Sequence, residues 1–403
     1  MPSKLHLPLL AKVLAAILLG MLCSLFLPIW AVRSFVTFNS IFSNFLGMFI
    51  PLLIIGLISP SIADLGRGAG RLLLVTVAIA YFSTVLTGSV AYLTGRLSFP
   101  ALLGERTGSL QGIESAAGLE PFFTIAMPPF INVTTALVLA FILGLGCTAI
   151  PGNTLKHFME DFKDIIMTVI SNVIIPCLPL FIFGIVLKIG ADGQMLSVMG
   201  LFLKVILVII ALHITVLVCQ FLIASGIAGR RLRAEAAPGE RPAGANPLRA
   251  LLTMLPAYAT ALGTQSSAAT IPVTLSCAKK LGVRPEVADF TVPLCATIHM
   301  PCSILKITLC CLAVSFCSGM PIDAGTYIGF VMMLAITMVA APGVPGGAVM
   351  AALGVISAML GFDADMQGIV IAIYIALDGF GTAGNVTGDG AIALIVDHIR
   401  KAA

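Results

Sequence analysis

The sequence predicts an all-α integral membrane protein, and three observations carry that prediction. First, 59% of the 403 residues are hydrophobic, 10% are charged, and the mean hydropathy is +1.09; a soluble domain has roughly 25% charged and 45–50% apolar residues. Second, apolar runs long enough for a spanning helix of about 20 residues recur along the chain. Third, two further apolar stretches are broken by polar or Gly/Pro-rich residues in their middles. This composition excludes a soluble enzyme and a disordered chain. A net charge of +4 on so long a chain gives no basis for a nucleic-acid partner.

Eight candidate spans follow in order, near 7–28, 35–63, 71–96, 131–150, 160–189, 196–228, 286–318 and 366–399. The first, Leu7 to Pro28, is long enough to span and reads as a membrane helix rather than a cleavable signal. Between the sixth and seventh, the stretch 248–278 is interrupted by Gly263-Thr264-Gln265-Ser266-Ser267. Between the seventh and eighth, 325–360 is interrupted by Ala341-Pro342-Gly343-Val344-Pro345-Gly346-Gly347. Such breaks leave backbone groups without partners and persist in a membrane only when buried in protein or lining a cavity. A pair of interrupted segments in corresponding parts of a chain marks a transporter binding site. The ten cysteines lie nearly all in apolar runs and read as small core hydrophobes, with no zinc-spaced CxxC pair.

Sidedness follows from the basic residues. Lys4, Lys12, Arg67, Arg71, Lys156, Lys163, Arg230, Arg231, Arg233, Arg241, Arg400 and Lys401 fall on one side if the spans alternate. The opposite connections hold Arg33, and Arg106 against Glu105, Glu114 and Glu120. A multi-pass protein of the inner (plasma) membrane with both termini cytoplasmic is therefore expected. The Arg-, Ala-, Pro- and Gly-rich stretch after the sixth span, 229–246, reads as a flexible cytoplasmic linker.

Ionisable residues inside spans are costly and mark function by default. Here they are Lys204, His213, His299, Lys306, Asp378 and Asp389. Lys204 and His213 read as snorkelling or packed polar contacts. His299 precedes Pro301, which must unwind the helix and free carbonyl oxygens, and Lys306 follows; a proline kink with a hydrogen-bonded core histidine is the plain structural alternative. On the last span, Asp378, Thr382, Asn385 and Asp389 fall on one stripe at steps of 4, 3 and 4. Asp378 suits a substrate ammonium, Asn385 a carboxylate, and Asp389 a metal cation or a proton; interhelical hydrogen bonding alone is the competing reading.

Four motifs then carry a resemblance. Thr264-Gln265-Ser266-Ser267-Ala268-Ala269-Thr270-Ile271-Pro272-Val273-Thr274 resembles the serine-rich tip of a first re-entrant hairpin. Pro293-Leu294-Cys295-Ala296-Thr297-Ile298-His299-Met300 is similar to a seventh-helix stretch ending in Asn-Met-Asp-Gly-Thr. Gly343-Val344-Pro345-Gly346 resembles a second hairpin tip, and Asn385-Val386-Thr387-Gly388-Asp389 an eighth helix. In this order they resemble the dicarboxylate/amino acid:cation symporters, the glutamate-transporter fold. The resemblance implies eight transmembrane helices plus two re-entrant helical hairpins, built as inverted repeats. It further implies a homotrimer in a lipid bilayer whose transport part moves substrate by an elevator mechanism. The implied division is 1–70 scaffold, 71–130 third helix with an extracellular loop, 131–228 scaffold helices with the sixth helix, 229–246 linker, and 247–403 transport core. Substrate would meet Gln265, Ser266, Ser267, Val344, Pro345, Gly346, Asp378, Gly381, Thr382 and Asn385. Sodium would meet Thr297, Met300, Asn385 and Asp389.

The departures point to altered coupling. Pro301 and His299 replace an aspartate and an asparagine that help to bind sodium in the family, and Val85 stands at a position that carries a hydroxyl there, beside Tyr81 and Thr84. Lys306 replaces a usual tyrosine, and Gly381 replaces the arginine of acidic-substrate members. His299 and Lys306 become the coupling candidates, with Na+ or H+ as the coupling ion and no other cofactor. The expected function is secondary transport of a small, neutral amino acid with protons or fewer sodium ions. A dicarboxylate or acidic amino acid symporter using Lys306, and an uncoupled facilitator, anion channel or sensor, are the alternatives. No nucleophile–base–orienter set or cofactor motif suggests an enzyme.

Overall fold

The computed structural model describes residues 9–66, 71–104, 119–191, 195–236, 242–339, 341 and 346–402. Among these residues there is helix and no strand. Helices α1 (Leu9–Cys23), α2 (Ile29–Gly66), α3 (Arg71–Leu103), α4 (Val133–Ala149), α5 (Thr154–Val169), α6 (Ile175–Ala191) and α7 (Met195–Glu235) form the first half. The second half holds α8 (Pro247–Thr253), α9 (Leu255–Thr264), α10 (Ser267–Lys280), α11 (Pro285–Ile298), α12 (Pro301–Cys317), α13 (Ala324–Val339), α14 (Gly347–Leu360), α15 (Ala364–Ala376) and α16 (Asp378–Ala402).

Among the described residues each of the eight expected spans contains helix, but not every one is long enough to cross a bilayer. Five stretches are long and apolar enough to cross a bilayer: Ile29–Pro60, Leu72–Leu103, Thr154–Ala191, Phe202–Glu235 and Pro285–Cys317. The bent pair Asp365–Ala376 and Asp378–Arg400 makes a sixth. α4 is short, at 17 residues, for a local reason: Asn132 caps its start by accepting the Thr135 N–H at 2.7 Å, and Pro151 stops it beyond Ile150. With apolar helices of this length and number, the chain is an integral membrane protein.

Both interrupted stretches fold back on themselves. α9 packs on α10, and α13 on α14. In the first, helix persists through Gly263 and Thr264, and the break narrows to Gln265 and Ser266. Gln265 takes a left-handed φ of 53°, the one non-glycine positive φ among the described residues, and Ser266 caps α10 through the Ala269 N–H at 3.3 Å. A side chain rarely adopts that conformation, so the tip is a strained, tightly built turn. Of the second tip, Val344 and Pro345 lie outside the described residues; Gly346, at φ 76°, opens α14.

Two expectations are corrected. The stretch 229–246 is not a linker from its start, because α7 continues helically to Glu235, and Ala243–Ala245 forms a short 3-10 turn. Arg231 on that extension pairs with the fully buried Asp397 of α16, which holds the helix in register. The last span is not straight: it breaks at Leu377 and turns by 62°. Gly379 and Gly381 are weak helix formers there, and Asp378 can begin a new helix as a favourable first-turn acid.

Beside a small third cluster of Val32, Val36, Leu119 and Leu187, the core has two large parts. One joins α2, α4, α5 and α6 with α12 to α15. The other joins α7 to α11 with α16. α16 packs against α7, α9, α10, α11 and α12, which places its polar stripe in the middle of the second half.

Candidate functional site

The site is built where helices stop. Both hairpin tips meet the start of α16. Asp378, 5% exposed, accepts the Gly346 N–H on Oδ2 at 2.7 Å, which ties the second tip. Next to it, a Cβ added at Gly379 would lie 2.8 Å from the Leu262 carbonyl and 3.7 Å from Gln265 Cγ, so only glycine lets the first hairpin approach this closely. Ser267 and Gln265 are buried in the same tip. Thr382 lies one turn on, its hydroxyl donating to the Asp378 carbonyl at 3.1 Å. Helices α10, α14 and α16 begin at Ser267, Gly347 and Asp378, beside the two tips and the turn at Leu377.

Behind this lies the broken seventh span. Pro301 is the first residue of α12, and Met300 before it is pushed out of helical conformation, at φ −125° and ψ 49°. The freed N–H groups of α12 find Asn385: its Oδ1 accepts from Cys302 N at 2.9 Å and Ser303 N at 3.3 Å. Its Nδ2 donates to Ser303 Oγ at 2.9 Å. Asn385 therefore acts here as a cap, with most of its hydrogen-bonding capacity committed. Met300's carbonyl accepts from Ile304, and Thr297's exposed hydroxyl donates to Leu294.

His299 and Asp389 meet in the interior, each 1% exposed. The imidazole Nδ1 lies 2.9 Å from Asp389 Oδ1 and Nε2 lies 3.1 Å from Ser83 Oγ. Gln220 donates to the same Ser83 hydroxyl at 3.3 Å. Among the described residues, buried Asp389 Oδ2 has no hydrogen-bond partner. Lys306, also 1% exposed, donates to the Leu377 carbonyl at 3.1 Å, lies 3.7 Å from Asp378 Oδ1, and sits 3.9 Å above the Tyr374 ring.

The donors around Asp389 do not fit sodium well. Oxygen ligands suit a hard cation, yet an imidazole occupies Oδ1 and two N–H groups occupy Asn385 Oδ1. Among the described residues no group of three His, Cys, Asp or Glu side chains is placed to hold a metal. Tyr81 and Thr84 spend their hydroxyls on the carbonyls of Met332 and Ala80.

The structure thus brings Gln265, Ser267, Gly346, Asp378, Gly381, Thr382, Lys306, Asn385, His299 and Asp389 into one buried region. Thr297 points its hydroxyl elsewhere. His213 is buried with Nε2 3.4 Å from the Tyr258 hydroxyl, and Lys204 caps α3 through Leu102. Ser83, Gln220 and Tyr374 were absent from the sequence-based candidates. Ser83 and Gln220 carry a weak signal as polar residues on apolar helices; Tyr374 carries none. The largest cavity described, of about 950 Å³ between α2, residues 124–132 and α14–α15, is lined by none of the site residues.

The sequence matches the sodium:dicarboxylate symporter family over residues 9–399. A serine/threonine transporter SstT of Acinetobacter baumannii strain AYE is 28% identical over 379 residues, covering 91% of this chain and 90% of the relative. The protein of the same name in strain SDF is 27% identical with the same coverage. Two packed helix pairs, a helix broken before Pro301 and the polar α16 are consistent with this match, and the protein, a transporter rather than an enzyme, belongs to the sodium:dicarboxylate symporter family.

Proposed function

We propose that this protein is a secondary transporter of a small neutral amino acid, with cation coupling altered by His299 and Lys306. The observation that carries the reading is the His299–Asp389 pair: an imidazole sits at 2.9 Å from the carboxylate where a cation would be held. The name of the relatives supports serine or threonine as substrates. The absence of a guanidinium at Gly381 disfavours acidic substrates, because a second carboxylate would lack its two-toothed partner.

In this reading Asp378 receives the substrate ammonium, and the two hairpin tips enclose the substrate. The protein works in the inner membrane, termini in the cytoplasm, with eight spans and two re-entrant hairpins. It forms a homotrimer whose transport part, 71–130 with the sixth helix and 247–403, moves as an elevator against a scaffold. Protons or a reduced sodium count drive it, and His299 with the orphaned Asp389 Oδ2 is where a proton would reside.

The test is uptake into proteoliposomes. Serine or threonine accumulation driven by a pH gradient without sodium is expected. Dependence on sodium alone would overturn proton coupling and leave the reduced sodium count; glutamate or succinate outcompeting serine would overturn the substrate assignment. That second outcome is favoured by one observation, the buried ammonium of Lys306 beside the site. Downhill flux insensitive to both gradients would instead support a facilitator.

A further inference from the structure

The ammonium of Lys306 occupies the side-chain volume that position 381 leaves empty. A Cβ built on Gly381 would lie 2.2 Å from Lys306 Nζ and 2.4 Å from Cε, so a side chain at 381 would force the end of the lysine out of this position. Among the described residues, the hydrogen bond of this three-donor group goes to the Leu377 carbonyl. Its carboxylate neighbour, Asp378, stands at 3.7 Å, outside hydrogen-bond distance. Asp378 in turn gives its other oxygen to Gly346 N–H. A buried ion pair is stabilising when its geometry is close and its remaining protons are satisfied; this one is 3.7 Å apart, and among the described residues the ammonium has donors to spare.

Asn385, the other polar group suited to a substrate carboxylate, is committed to the α12 cap and to Ser303. Resting on the reading of this region as the substrate site, the geometry points to Lys306 as the residue that receives the substrate's carboxylate. The Lys306–Asp378 pair opens, and each half takes the opposite charge of the substrate. The two side chains sum to zero charge, so a zwitterion enters with no net charge left buried, whereas an added carboxylate brings an uncompensated one. Lys306 is thus a specificity-determining residue supplied by α12 rather than by α16.

The test compares L-serine with ethanolamine, which is serine without its carboxylate, by isothermal titration of the purified protein. Wild type is expected to prefer serine. Lys306→Met should weaken serine at least about tenfold, the loss of one charge-assisted hydrogen bond, and leave ethanolamine no weaker, because Asp378 then meets its ammonium without a competing lysine. Lys306→Arg should restore part of the preference. Gly381→Ala, which displaces the ammonium, should reproduce the loss, and should add nothing to Lys306→Met. An equal loss of both ligands, or a preference untouched by Lys306→Met, overturns the assignment. Wild type that ignores serine but binds succinate, with succinate lost in Lys306→Met, overturns the amino acid reading and keeps the role of Lys306. Indifference to all three ligands overturns both.

Discussion

α16 carries three buried aspartates in two settings, and the difference between its ends separates structure from function. At its C-terminal end, Asp397 is fully buried and oversupplied: Arg231 and Arg284 both reach its carboxylate, the latter at 2.7 Å. The same arginines also bind its carbonyl, at 3.2 and 2.9 Å. At the start and middle of the helix, Asp378 and Asp389 are equally buried but sparsely held. Among the described residues, Asp378 accepts the Gly346 N–H and has Lys306 at 3.7 Å, and Asp389 meets His299 on one oxygen and no partner on the other. Satisfied charges clamp elements together, here α7, the α10–α11 turn and α16. Charges left short of partners are open to a ligand or a proton.

Substitutions along α16 and its partners can break this contrast. The largest expected effect on stability is Asp397→Ala, which strands two arginines; removing one member of a buried pair costs about 3–5 kcal/mol, here toward the lower figure because Arg284 is 38% exposed. Thermal unfolding in detergent should show a large drop, and a shift of only a degree or two would mean that the clamp is not structural. Asp378→Asn should shift the loss toward function: uptake and serine affinity fall by at least about 30-fold, as expected when a buried charged contact worth roughly 2–5 kcal/mol is lost, while the melting temperature falls less than in Asp397→Ala, because the amide oxygen still accepts the Gly346 N–H. Retained binding in that variant would remove Asp378 from the site.

His299→Asn tests the middle of the helix. Under the proposed coupling, uptake in this variant becomes less sensitive to external pH and more responsive to sodium, because an amide oxygen can take the place of the imidazole beside Asp389. An unaltered pH profile would return His299 to a packing role. The smallest effect belongs to Ser83→Ala, which removes one neutral hydrogen bond to the imidazole and costs about 0.5–1.5 kcal/mol. It should move the pH profile slightly and leave substrate affinity alone; a collapse of serine binding would place Ser83 in the substrate site instead.

Much of this was legible in the chain. The interruption at Gln265-Ser266 and the stop before Pro301 follow from local chemistry: a serine that caps a helix, and a proline that cannot continue one. The stripe of Asp378, Thr382, Asn385 and Asp389 follows from helical spacing, and the structure keeps all four on α16 facing its neighbours. Misread elements fail for a common reason. The stretch 229–246 has the composition of a linker, yet its first residues are held in helix by an ion pair to a residue far along the chain. The turn of 62° at Leu377 carries no proline to announce it.

The sequence by itself determined an all-helical membrane protein, its family and most of its buried polar charges, His213, His299, Lys306, Asp378 and Asp389, though not Asp397. Those depend on hydropathy, spacing and capping, which act over a few residues. Tertiary structure alone decided which charge meets which. The Lys306 ammonium reaches Leu377 and the Gly381 cleft across 71 residues of chain, and His299 reaches Ser83 across 216. No local preference encodes such pairings, because burial in a low-dielectric interior makes each charge dependent on whichever partner packing brings within a few ångströms.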